Sequence, residues 1–166
     1  MLTQEQAKQL FSYEPEEGIL RWRKRPSGRN TSLIAGYLKE NPSKPSYWVV
    51  MVNYKNYKVH QIIWVYMTGE WPDKLVDHRD LDGTNNRWSN LRLGTNSQNM
   101  MNGRIRRDNT TGAKGVSWDR QKERFRAKIN VGGKEIWLGY FDTVDAAKVA
   151  REVAAKQHHG EFARAQ

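Results

Sequence analysis

The chain contains no cysteine. That excludes disulfides, zinc sites built on cysteine and thiol chemistry. It has four histidines, which leave little room for a metal site built mostly of imidazole. No apolar run approaches the 18 residues that would signal a membrane span. The opening stretch MLTQEQAKQLF lacks the basic region and apolar core of a secretory leader. The expectation is a soluble intracellular protein with no membrane partner. What the chain does have is positive charge. Its 166 residues carry 28 Lys and Arg against 18 Asp and Glu, a net +10. Seven Trp and seven Tyr argue against a disordered chain. A basic, aromatic-rich chain of this length points to a polyanionic partner.

Composition divides the chain near GRIRRDNTTGA, which holds Arg104, Arg106 and Arg107 between two glycines. Residues 104–113 read as a basic linker. Positive charge lies on both sides. Residues 1–107 carry 17 basic and 10 acidic residues, and residues 108–166 carry 11 and 8. Before the linker, Thr3 and Gln6 predict a capped helix over Gln4 to Phe11. Strands are expected at Ile19 to Arg23, Tyr47 to Val52 and Tyr54 to Val59. Residues 21–29 form a basic patch without an acid. The run QIIWVYM after His60 suits a short buried helix ended by Gly69 and Pro72. Residues 1–59 thus form a strand-rich region leading into a second segment, 60–103.

That second segment reads strand, loop, strand, helix. Lys74 to His78 is a short strand, DLDGTNN a polar loop, and Asn90 to Leu93 a second strand. Thr95 and Gln98 form a capping box for a helix beginning at Asn96. Asp77 offers a hard oxygen and Asn99 an amide oxygen, ligands suited to a cation such as Mg²⁺. His78 neighbours Asp77 on the strand and so points to the other face. An imidazole there can take a proton from an attacking water near neutral pH. The chemistry indicated is phosphodiester hydrolysis with one divalent metal. Asn-rich loops also make Asx-turns with no catalysis, and that reading is weighed against it.

Residues 60–102, with VHQIIWVYMTGEWP leading into VDHRDLDGTNNRWSNLRLGTNSQNMMN, resemble the HNH endonucleases of the phage and intron-encoded homing type. The resemblance implies a ββα-metal core. It implies Asp77 and Asn99 as ligands of one divalent ion, Mg²⁺ with Mn²⁺ substituting. It makes His78 the general base and Asn90 the residue ordering the catalytic loop. His60 falls in the lead-in motif with a structural role, and Arg92 against DNA phosphate. A phage or mobile-element protein in a host cytoplasm is the implied setting.

Beyond the linker, Arg124 to Val131 alternates cleanly. Phe125, Ala127, Ile129 and Val131 fall on one face, and Arg124, Arg126, Lys128 and Asn130 on the other. Gly132-Gly133 marks a hairpin, and Lys134 to Tyr140 returns. Thr143 caps a helix to about His158. KGVSWDRQKERFRAKI and KEIWLGYFDTVDAAKVAREVAAKQHHG resemble the AP2 DNA-binding domain, three strands on one helix. The resemblance implies DNA contacts from Arg120, Arg124, Arg126, Lys128, Lys134 and Trp137, with Arg104, Arg106 and Arg107 of the linker on phosphates.

The fold class expected is α+β: a ββα-metal core, then an AP2-like module over 114–166. The function expected is a site-directed, strand-nicking endonuclease acting on double-stranded DNA as a monomer. The competing reading is a non-catalytic, sequence-specific DNA-binding protein on a degenerate HNH scaffold.

Overall fold

The computed structural model describes residues 1–24, 32–40, 45–96, 98–99, 105 and 108–163. Helices and antiparallel sheets are mixed, as an α+β chain requires. The chain divides into two compact units, Met1–Gly94 and Thr95–Gln166. Among the described residues no helix is long and apolar enough to cross a membrane.

In the first unit, helix α1 (Gln4–Leu10) opens with the Thr3–Gln6 capping box. It stops one residue earlier than the sequence reading has it. Phe11 is extended (φ −125°, ψ 157°) and fully buried, and it starts strand β1 (Phe11–Glu14). The reason is alternation: Phe11 and Tyr13 point inward, and β1 pairs with β2 (Ile19–Trp22), Phe11 opposite Trp22. Arg23, from the basic patch, donates from Nε to the carbonyls of Lys8 and Phe11. It closes the helix end. Arg21 pairs with Glu17.

A second sheet follows in the order β3 (Tyr37–Lys39), β4 (Tyr47–Val52), β5 (Lys55–Lys58). Helix α2 (Val59–Thr68) ends at Gly69 in the left-handed region, φ 90°. Its Val59, Ile62 and Ile63 join Leu2, Ala7, Phe11, Leu20, Val50, Val52 and Leu91 in one core. Strands β6 (Leu75–His78) and β7 (Leu91–Gly94) form a two-stranded hairpin beside α2. A two-stranded hairpin is marginal alone. Here Leu91 and the partly buried Val76 anchor it in the common core. The N-terminal region and the hairpin therefore share one interior.

In the second unit, β8 (Val116–Asp119), β9 (Arg124–Val131) and β10 (Lys134–Phe141) form an antiparallel sheet with β9 central. Helix α3 (Val144–His159) packs on it. Small residues, Ala147, Ala154 and Ala155, meet Val116, Ala127 and Ile129.

Candidate active site

The β6–β7 register sets Asp77 opposite Arg92 and His78 opposite Leu91. Cross-strand partners share a face, so Asp77 and Arg92 lie on one side of the hairpin and His78 on the other. Asp77 is 7% exposed and Arg92 5%. Arg92 donates from Nε and Nη2 to Asp77 Oδ2, each at 3.1 Å. This corrects the sequence reading of Arg92. A buried guanidinium aimed at a carboxylate is an internal positioning group, and the DNA-contact assignment is withdrawn.

His78 is also 7% exposed. Its Nε2 lies 3.0 Å from Oδ1 of Asn86, which is itself buried. An amide oxygen accepts, so Nε2 carries the proton and the neutral ring has its lone pair on Nδ1. Asn86 is held in turn by its backbone carbonyl, which accepts from the Tyr13 hydroxyl at 2.7 Å. Burial, with Glu16 adding to it, pushes the Tyr13 hydroxyl pKa up, so this donor keeps its proton. From the sequence, Asn86 is only the last residue of the polar DLDGTNN loop. It is the partner of the expected base, and only its place in the NN pair hints at that.

The ring of His60, on α2, meets the ring of His78 edge to face, centroids 5.0 Å apart. Tyr47 abuts His60 from β4 at 6.5 Å. His60 is 7% exposed and its Nδ1 has no hydrogen-bond partner. Burial first, then the neighbouring His78 and Lys58, lower its pKa to about 3. His60 is thus neutral wherever the protein works.

The loop between β6 and β7 is cross-braced. Asn90, in a 3₁₀ turn over Trp88–Asn90, donates from Nδ2 to Asp80 Oδ1 and to the Asn85 carbonyl. Its Oδ1 accepts from the Asp80 N–H. Asn85 donates to Asp80 Oδ2 at 2.6 Å. Burial alone would raise the Asp80 pKa, but bonds from the Asp82 N–H, Asn90 and Asn85 outweigh it and lower it. The loop is also clamped from outside. Trp88 N–H donates to the Pro15 carbonyl, and Arg87 Nε to that of Glu16. A Cβ on Gly83 would stand 2.3 Å from the Ser46 carbonyl oxygen, and one on Gly18 2.5 Å from Arg87 N. Neither position has room for a side chain.

Among the described residues no group of three or more His, Cys, Asp and Glu is arranged to hold a metal. The pair named from the sequence is sparser and of mixed type. Asp77 is in the first unit. Asn99 belongs to the second, in the helical turn that Thr95 and Gln98 cap reciprocally at 3.2 and 2.8 Å. Hard oxygen donors of this kind suit Mg²⁺, which keeps several waters.

In the second unit, the register puts Arg124, Arg126, Lys128 and Trp137 on the face away from α3. A bulge between Trp137 and Gly139 brings Tyr140 onto the same face, its ring 4.9 Å from that of Trp137. Two of the three basic residues are paired, Arg124 with Asp142 at 2.6 Å and Lys128 with Glu135 at 2.7 Å. Arg126 donates to Ser117 Oγ. Lys134 is opposite Val131, and so falls with the helix-side residues at the hairpin end. Glu135 takes the outward place, so Lys134, a DNA contact implied by the resemblance, does not share the face of Arg124, Arg126 and Lys128. Arg120 is exposed in the β8–β9 turn. Arg104, Arg106 and Arg107 lie outside the described residues.

A family model described as HNH endonuclease matches residues 57–101. Over 114 residues the chain is 31% identical to Protein 3.8 of Escherichia phage T7, covering 67% of this chain and 92% of that protein. No solved structure matches the chain.

Proposed function

This chain belongs to the family of Protein 3.8 of Escherichia phage T7 and carries an HNH endonuclease domain, and from that premise we propose that it is a metal-dependent endonuclease hydrolysing phosphodiester bonds in duplex DNA. The observation that carries the reading is the bond between His78 Nε2 and Asn86 Oδ1. It fixes the tautomer whose Nδ1 is basic. The braces through Asn90, Asp80 and Asn85 hold the loop that supplies Asn86.

In the proposed reaction His78 Nδ1 takes a proton from water as the water oxygen bonds to phosphorus and the ester P–O bond breaks. Asp77 and Asn99 are the residues that would hold one divalent ion, Mg²⁺ or Mn²⁺. When bound, such an ion polarises the phosphate and stabilises the leaving oxygen. Arg92 orients the Asp77 carboxylate. One such site cuts one strand, so a monomer nicks. The second unit is proposed as an AP2-like module, with Trp137, Arg120, Arg124, Arg126 and Lys128 against DNA. Its sheet-on-helix architecture supports this. Together the two units make a site-directed enzyme of homing type, acting in the cytoplasm of a phage host.

The test is supercoiled plasmid with Mg²⁺ or Mn²⁺, with EDTA as control. Conversion to open circle is expected, and His78→Ala should slow it by roughly 10²–10⁴-fold while a gel shift persists. Binding without cleavage in either metal would leave the competing reading, a DNA-binding protein on a degenerate HNH scaffold.

A further inference from the structure

The sheet nominated by the sequence for DNA has its basic residues largely paired, whereas among the described residues those of the β3–β4–β5 sheet form no ion pair. Register sorts that sheet's residues into two faces. Trp48, Val50, Val52 and Tyr57 turn to the core. Tyr37, Lys39, Tyr47, Val49, Met51, Asn56 and Lys58 share the other face, with Val49 buried at its middle and the rest exposed or half-buried. No acid stands among these seven. Lys39 and Lys58 are exposed, and neither has an ion pair among the described residues. Tyr37 is 53% exposed and Met51 58%. The Lys58 ammonium lies 5.1 Å from the centre of the Tyr47 ring.

This face runs into the candidate active site. Tyr47 touches His60, and His60 touches His78. The catalytic loop itself rests on the start of β4, with Gly83 against the Ser46 carbonyl. Lys39 and Lys58 sit two strands and two residues apart. With strands ~4.8 Å apart and ~3.3 Å per residue, their backbones are roughly 12 Å apart, enough to meet separate phosphates. Two lysines, two tyrosine hydroxyls and an amide on a face whose own residues include no acid match a polyanion's backbone, which binds through charge and hydrogen bonds without base readout.

We infer that the outward face of the β3–β4–β5 sheet, through Lys39, Lys58, Tyr37 and Tyr47, docks the phosphate backbone of duplex DNA and leads the duplex to His78. The inference rests on the nuclease reading for the identity of the polyanion, but its test does not need turnover.

The experiment is fluorescence anisotropy of the full chain with a short fluorescein-labelled DNA duplex, in EDTA, over a series of KCl concentrations. Each lost phosphate contact should lower the slope of log K against log salt by about 0.9, so Lys39→Gln/Lys58→Gln should lower it by about 1.8. Lys39→Arg/Lys58→Arg should keep the parent slope. Lys148→Gln/Lys156→Gln, which removes the same charge from α3, should keep it too. Both target lysines are exposed, so an unchanged thermal melt is expected of the Gln variant. An unchanged slope in the Gln variant overturns the inference, as does an equal fall in the α3 control. Plasmid nicking by the parent, run in parallel, separates the two readings. A parent that binds but never nicks, with the slope lowered by Lys39→Gln/Lys58→Gln, sinks the nuclease and leaves the surface standing. A nicking parent with no slope change in the Gln variant sinks the surface alone.

Discussion

Replacing Arg92 by Met strips Asp77 of both guanidinium bonds while keeping an unbranched side chain in the cavity. Both partners are almost fully buried, 7% and 5% exposed. Removing one partner of a buried ion pair costs about 3–5 kcal/mol, because the remaining buried charge loses that opposite charge. With a urea m-value of about 2 kcal/mol/M, the midpoint for the first unit should fall by roughly 1.5–2.5 M. Tryptophan fluorescence follows it, since Trp22, Trp48, Trp64, Trp71 and Trp88 all belong to that unit. Asp77→Asn in the Arg92→Met background should restore most of the lost stability, because the buried charge that lost its guanidinium is then gone. The salt dependence of DNA binding should not change in the single variant. If the midpoint holds within about 0.3 M while the salt slope drops by about 0.9, Arg92 is a phosphate contact after all and the burial argument fails.

Asn86→Leu should leave folding largely intact and slow nicking by part of the roughly 10²–10⁴-fold that a general base supplies, since His78 loses the group fixing its tautomer; a rate within twofold of parent would refute this. Gly83→Ala should destabilise the first unit by about 1–3 kcal/mol, read by thermal unfolding, because the new Cβ meets a backbone oxygen that cannot give way freely. The pH dependence of stability follows from His60. Its folded pKa of about 3 lies below the ordinary histidine value. Stability is complete above about pH 6.5 and falls by about 1.4 kcal/mol per pH unit toward pH 3, where the unfolded chain takes a proton that the folded one refuses. Urea titrations at several pH values should show that His60→Phe flattens this slope.

Local patterns made much of the fold legible. The Thr3–Gln6 and Thr95–Gln98 boxes declare themselves in four residues, and both form. The alternation of β9 and the Gly132-Gly133 turn specify the hairpin. The strand beginning at Phe11 was hidden, because the helix periodicity runs into it and only pairing with Trp22 decides the matter. In the candidate site, the side of the hairpin on which Asp77 and His78 fall follows from strand parity. The register that sets Arg92 against Asp77 does not, because it depends on how the loop closes. Lys134 shows the same limit: strand alternation is visible, but the pairing with Val131 decides its side. Asn86 could not be singled out from Asn85, since only the fold turns one amide to His78 and the other to Asp80.

The clamps on the β6–β7 loop bear on how such a site can be inherited. Tyr13, Pro15, Glu16, Gly18 and Ser46 all grip residues 83–88. None of them belongs to the stretch 57–101 that carries the motif. A gene fusion or domain swap cut at the motif's own edges would carry off the histidine and leave behind the scaffold that aims it. A working graft must take the whole of residues 1–94. Recombination between relatives should accordingly leave its joints beyond residue 94, and sequences in which the motif has drifted from its N-terminal partner should be the ones whose loop has lost its clamps.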